Sequence, residues 1–219
     1  MIDLWYGEAW NGIGIAKGKV YDRPASSDQR GLLGMQYGAE RIDKKRNTEC
    51  EKTMFEIRKS KIEDIPEMLK TFAAAVQTMR SNGNLEQWIN YPPDGLLESD
   101  IRAGKSYVIE SDGKLCGTFF FALEEDPTYL VIDDGAWLND APYGVIHRIA
   151  SNGTERGVLK AAIDYCARFS TNLRIDTHRD NTIMQHLLEK YGFQKCGIIY
   201  VQDAVSGHSP RLAYHRCAK

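Results

Sequence analysis

A mixed α/β sheet with helices on both faces is the fold class that the sequence predicts, and three observations carry it. Patterned segments follow one another in the order strand, helix, helix, strands, helix, strand, helix, strands. Two late segments repeat apolar residues at i, i+3, i+4, i+7, namely Leu159, Ala162, Ile163, Cys166 and then Ile183, Met184, Leu187, Leu188, Tyr191, each making one buried helical stripe. Both are preceded by an apolar strand and a polar turn (Ser151 to Gly157 and His178 to Asn181), so two helix N-termini offer backbone N–H groups at strand ends.

In chain order, Phe55 to Lys59 alternates as a strand. Asp64 and Pro66 mark a helix start, with Ile65, Met68, Leu69, Phe72, Val76 and Met79 as its apolar face, ended by Asn82-Gly83-Asn84. Trp88 to Pro93 reads as loop because two prolines remove donors and disfavour helix. A short helix is expected over Leu96 to Arg102 and stops at Gly104. A hairpin follows, Tyr107 to Ile109 and Leu115 to Leu123 around Ser111-Asp112-Gly113-Lys114. Tyr129 to Ile132 reads as a further strand or a continuation after Pro127, with Trp137 in an insert. The central strand spans Val145 to Ala150, a second strand Leu173 to Thr177, and Gly192 stops the last helix. Gly197 to Val201 and Leu212 to Tyr214 form the closing hairpin through Ser206 to Pro210.

The chain has 219 residues, a net charge of −2 and 26% charged residues. That length suits one full core with an appendage, and the balance leaves no electrostatic footprint for nucleic acid or an anionic membrane. No apolar run is long enough to span a bilayer, and no signal-peptide core opens the chain. Five scattered cysteines without a C-x-x-C pair, three of them (Cys116, Cys166, Cys196) in apolar segments, fit a reducing cytoplasm. Residues 1–53 lack any sustained period and are read as an extension without its own core, leaving 54–219 as the folded domain. Within the extension, Gly12 to Gly18 has the wrong spacing and context for a dinucleotide loop, which disfavours a nucleotide-binding protein. Asp43 to Arg46 reads as solvated linker.

The run Ile146 to Ser151, the Gly157-centred turn, Leu173 to His178, Asp180-Asn181 and Tyr191-Gly192-Phe193 resemble the GNAT N-acetyltransferase superfamily, with matching element order from about Phe55 to Arg216. The resemblance implies a mostly antiparallel sheet splayed at its central strands, and acetyl transfer from acetyl-coenzyme A to a primary amine by direct attack in a ternary complex. It implies no metal. The acceptor is a small-molecule or peptide amine, and a homodimer stays open.

On the same resemblance, the pyrophosphate is held by Arg156, Gly157, Val158 and Leu159, whose backbone N–H groups converge at a helix N-terminus. Thr154 and Leu159 depart from the family's turn pattern of Gln/Arg and a final Gly/Ala. The strand edge from Arg148 to Ser151 would pair with the pantetheine arm, and the Ile149 N–H would polarise the thioester. Asn181 has two readings, a side-chain contact to that arm or the N-cap of the following helix, while Asp180 reads as a cap. His147 is named as the base, with an imidazole that titrates near the working pH; Glu124 and Glu125 are its rivals, acting through a water. The family's usual acid, a tyrosine four residues before Gly192-Phe193, is Leu188 here. His178 is read as a partner of Asp176 or Asp180. Trp88, Tyr91, Trp137 and Tyr200 are candidates for the acceptor pocket. The altered turn and the missing tyrosine support an alternative, a non-catalytic acyl-coenzyme A-binding or regulatory module.

Overall fold

The chain, described here over residues 54–203 and 207–217 of a computed structural model, runs through β1 (Phe55–Lys59), α1 (Ile65–Ser81), α2 (Leu96–Arg102), β2 (Ser106–Ser111), β3 (Lys114–Ala122), β4 (Gly144–Ser151), α3 (Val158–Cys166), β5 (Asn172–Thr177), α4 (Thr182–Lys190), β6 (Gln194–Asp203) and β7 (Gly207–Cys217). The strands form one open sheet in the order β1-β2-β3-β4-β5-β7-β6. Every neighbouring pair is antiparallel except β4 and β5, which run parallel. The expected mixed α/β sheet with helices on both faces is therefore the observed fold. The proposed extension at residues 1–53, with its Gly12–Gly18 run, lies outside the described residues.

Packing follows the sequence periods. On one face α3 buries Val158, Leu159, Ala162, Ile163 and Cys166, and α4 buries Met184, Leu187 and Leu188, against Ile146, Ile149, Leu173 and Ile175 of the central strands. Each large aliphatic side chain so buried contributes roughly 1.5–3 kcal/mol. On the opposite face α1 lays Met68, Phe72, Ala75 and Met79 over Val108 and Ala150. Gly117 on β3 lets α3 dock closely, since a Cβ there would collide with Val158 Cγ1. Cys116, Cys166 and Cys196 are buried free thiols, and burial pushes Cys116 up to about 12. Among the described residues no helix is long and apolar enough to cross a membrane.

Three expectations are corrected. Tyr129 to Ile132 is not a strand. Asp126 caps a 3₁₀ turn at Pro127–Tyr129 by accepting from the Thr128 amide, after which Leu130 and Val131 are exposed and only Asp133 bridges to Ile198. Leu69 and Ile183 are solvent-exposed rather than part of their helices' buried faces, because each lies one residue off the stripe that touches the sheet. The closing hairpin is longer than expected, as β6 begins at Gln194 and absorbs Cys196 in a bulge between Lys195 and Gly197.

Candidate active site

The sheet opens between its two central strands. β4 and β5 are paired only at Gly144↔Leu173 and Val145↔Arg174, although β3 follows β4 to Ser151 and β7 follows β5 to Thr177. Beyond Val145 no pairing joins the two strands, which splay apart in a V while the His147 and Asp176 side chains still approach to 3.7 Å. A bulge accompanies the divergence, because Thr118↔Ala150 and Phe120↔His147 place three steps on β4 against two on β3. Arg148 occupies the bulge at φ 55°, a left-handed conformation that costs a non-glycine residue roughly 1–3 kcal/mol.

Side chains at the bulge do not alternate as in a regular strand. Ile146 and Ile149 enter the core under α3. His147 and Arg148 both lie against the Phe120 ring, with the His147 ring centroid at 5.7 Å and the Arg148 guanidinium carbon at 4.3 Å. Arg148 also pairs with Asp100 on α2 at 2.8 Å. Burial raises the Asp100 carboxyl above its ordinary range, with Arg148 opposing.

A buried polar cluster surrounds His147. Its Nε2 lies 2.6 Å from Asp126 Oδ2, and its Nδ1 lies 3.7 Å from Oδ1 of Asp176 on β5. The Tyr129 hydroxyl donates to that same Asp176 oxygen at 2.7 Å. Burial pushes the imidazole below its ordinary value, and the two carboxylates pull the other way without prevailing. Against an ionised Asp126 carboxylate, Nε2 is the nitrogen that carries hydrogen. Burial acts to raise the Asp126 carboxyl, but the His147 N–H and two donors from Thr128 outweigh it and hold it well below the usual carboxylate range.

At the far end of β4 the chain turns through residues 152–157 into α3. Asn152 fastens the turn by donating to Leu115 O at 3.0 Å and accepting from the Thr154 amide at 3.1 Å, while Ser151 Oγ accepts from the Gly153 amide. Gly157 is the N-cap at φ 90°, and only Phe55 approaches where a side chain would begin, at 3.6 Å. The glycine is therefore required by conformation rather than by space. Arg156 is exposed beside it, whereas the side chains of Val158 and Leu159 are sealed in the core. Any ligand contact at those two positions is main-chain.

The other candidates fall in different places. Asn181 is the N-cap of α4: its Oδ1 accepts from the Met184 amide at 3.2 Å, and its Nδ2 donates to Gln87 Oε1 at 3.3 Å. Trp88 stacks on Tyr91 with ring centroids 4.5 Å apart, and both rings meet Phe72 edge-on. These two lie in the loop between α1 and α2. Trp137 is elsewhere: its indole N–H donates to Tyr129 O at 3.0 Å, and Arg174 covers its ring at 4.2 Å. Tyr200 is exposed. Glu124 binds Lys105 through both carboxylate oxygens, and Glu125 is exposed next to Asp126. His178 pairs with Asp180, whose amide donates to its Nδ1 at 3.2 Å. Glu86 joins those two with ligand-type atoms within 4.8 Å, but the His178 nitrogen that faces Asp180 is already an acceptor for that amide. Leu188 is fully buried.

Sequence reading missed Asp126 and Asp100. Each carries chemistry only through a partner placed by tertiary structure, and no local spacing signals it.

No family model and no curated protein matches the sequence. Among solved structures, an acetyltransferase of the GNAT family from Streptococcus agalactiae is 28% identical, covering 75% of this chain and 96% of its own at a TM-score of 0.64. GNAT-family acetyltransferases from Listeria monocytogenes (18% identical, 75% and 95% covered, TM-score 0.56) and Bacillus cereus (16%, 76% and 99%, TM-score 0.50) share the fold. With its sheet splayed between two parallel central strands, a strand-to-helix turn at the mouth of the gap and these structural neighbours, the chain belongs to the GNAT N-acetyltransferase superfamily.

Proposed function

We propose that this protein transfers an acetyl group from acetyl-coenzyme A to a primary amine, on a small molecule or a peptide, by direct attack in a ternary complex. The observation that carries the reading is the V-shaped gap, with the Arg148–Ile149 bulge on one wall and the His147–Asp126 pair beside it. Such a gap fits an amide-bearing arm, which can add to the β4 edge as an extra strand. The glycine-capped start of α3 suits a diphosphate, which needs main-chain donors and the positive end of a helix.

In this reading the Ile149 amide polarises the thioester carbonyl. His147 Nδ1 takes a proton from the acceptor ammonium, and Asp126 holds the tautomer that leaves Nδ1 basic. The amine nitrogen forms the new bond to the carbonyl carbon, the carbon–sulfur bond breaks, and the departing thiolate takes the second proton that the nitrogen gives up as it becomes an amide. Ser151, Arg156, Gly157, Val158 and Leu159 line the cofactor's path, Asn181 borders it, and Trp88 and Tyr91 stand on the acceptor side. Glu125 remains the rival base through a water.

One observation favours a second reading, a non-catalytic acyl-coenzyme A-binding module. Leu188 fills the place of the family's acid with a core side chain. Release of free thiol from acetyl-coenzyme A across an amine panel separates the two. Thermal stabilisation by coenzyme A without turnover by any amine supports the module, and turnover supports the enzyme. We further propose a cytoplasmic location, and a transferase domain at 54–219 preceded by an extension. Limited proteolysis leaving a stable fragment from near Met54 supports that boundary, and uniform resistance contradicts it.

A further inference from the structure

We infer that Asp176 and Tyr129 are positioning residues for His147: Asp176 favours the ring with a proton on Nδ1, and the Tyr129 hydroxyl tempers that pull. The catalytic consequence rests on the acetyl-transfer reading, whereas the electrostatic link stands without it. All three side chains are more than nine-tenths buried. Asp126 engages Nε2, so a second carboxylate is not needed to set which nitrogen carries hydrogen. Nδ1 has no hydrogen-bond partner among the described residues and lies 3.7 Å from Asp176 Oδ1, across the splay from β4 to β5. That distance is too long for a hydrogen bond and short enough for an opposite charge to favour the protonated ring. The same oxygen accepts from the Tyr129 hydroxyl at 2.7 Å, which offsets part of its negative charge as felt at Nδ1. Of the other charged groups, Asp126 faces the ring from the insert, and Arg148 lies across Phe120 and is paired with Asp100. In the transfer, an N–H bond of the acceptor ammonium breaks and an Nδ1–H bond forms. The proton stays on that nitrogen until solvent removes it, and Asp176 steadies the imidazolium meanwhile. Too strong a pull would keep the ring charged and unable to take a proton, and Tyr129 works against that state.

The test uses the full chain with Asp176→Asn, Tyr129→Phe and the double variant. His147 is followed by an NMR titration of its ring proton, assigned by its absence in His147→Asn. The acidic limb of the kcat/KM profile, for the fastest amine of a panel, should follow the same midpoint. Asp176→Asn is expected to move the midpoint down by about one pH unit. Tyr129→Phe removes no charge, yet is expected to move it up. In the double variant the upward shift disappears, since a hydroxyl that acts through Asp176 has nothing left to act on. Looser packing alone would also raise the midpoint in Tyr129→Phe, but equally with and without Asp176. That equal shift overturns the inference, as does an unmoved midpoint in Asp176→Asn or an unmoved or lowered one in Tyr129→Phe. If the shifts appear while no amine is acetylated, the link stands and the acetyl-transfer reading falls instead.

Discussion

Nε2 of His147 lies 2.6 Å from Oδ2 of Asp126, a residue 21 positions earlier at the start of the insert between β3 and β4. The contact assigns the ring's two nitrogens different tasks. Nε2 must carry hydrogen to meet an ionised carboxylate, which leaves Nδ1 as the basic site. His147→Ala is expected to reduce kcat by about 10²- to 10⁴-fold, the usual contribution of a positioned acid–base group, with little change in acetyl-coenzyme A affinity. Asp126→Asn removes a charge that favours the protonated ring, so the acidic limb of the rate profile should move to lower pH. A pH–rate series on both variants checks this; an unmoved limb in Asp126→Asn would mean that another group governs it.

The N-cap of α3 offers a separate test. At φ 90° Gly157 holds a conformation that costs an L-residue roughly 1–2 kcal/mol. Gly157→Ala should lower stability by about that amount in a urea melt. Gly157→Asp adds a negative charge where the diphosphate is proposed to sit, so coenzyme A should cease to stabilise the protein thermally. Retained coenzyme A affinity in Gly157→Asp would place the diphosphate elsewhere.

How far this was legible from the sequence depends on the kind of interaction. Helices α3 and α4 announced themselves because their buried stripes recur at helical spacing, and Gly157 because a glycine before such a stripe marks an entry turn. The bulge did not. Strict alternation would set Arg148 on the face opposite His147, and only an extra residue in register places both against Phe120. Asp126 was likewise hidden, as one of three successive acidic residues before a proline, distinguished only once the 3₁₀ turn aims it at β4. Asn181 was readable as a cap, yet its bond to Gln87, 94 residues away, was not.

His215 predicts a loss of stability in mild acid. The residue is fully buried, and its Nδ1 accepts from the Leu138 amide at 3.2 Å. Burial, with Arg174 nearby, pushes it down to about 4. Between about 6.5, where the unfolded chain takes up this proton, and about 4, the unfolded state binds more protons than the folded one. Stability therefore falls as pH is lowered through that window, by at most about 1.4 kcal/mol per pH unit for one group. His147 and His178, also lowered by burial, act in the same direction. Urea melts from pH 7 to pH 4 should show a shallower slope for His215→Asn, whose amide oxygen can still accept from Leu138. An identical slope would assign the effect to the other two histidines.

The insert that carries Asp126 and Tyr129 is fastened to the sheet by Arg174 of β5. Its guanidinium lies between the rings of Trp137 at 4.2 Å and Tyr143 at 3.9 Å, and donates to Asn139 O at 2.7 Å. A cation desolvated against two rings, with a charged hydrogen bond, is worth about 2–4 kcal/mol together. Arg174→Met keeps much of the apolar contact and loses the charge. It should reduce stability by about 2 kcal/mol and open the stretch from residue 124 to residue 143 to proteolysis first. Because Asp126 and Tyr129 belong to that stretch, hold on His147 and Asp176 should loosen with it. Turnover should then fall while coenzyme A, proposed to contact β4 and α3 instead, binds as before. Cleavage that begins outside the insert, or activity that survives its opening, would show that His147 does not depend on the clamp.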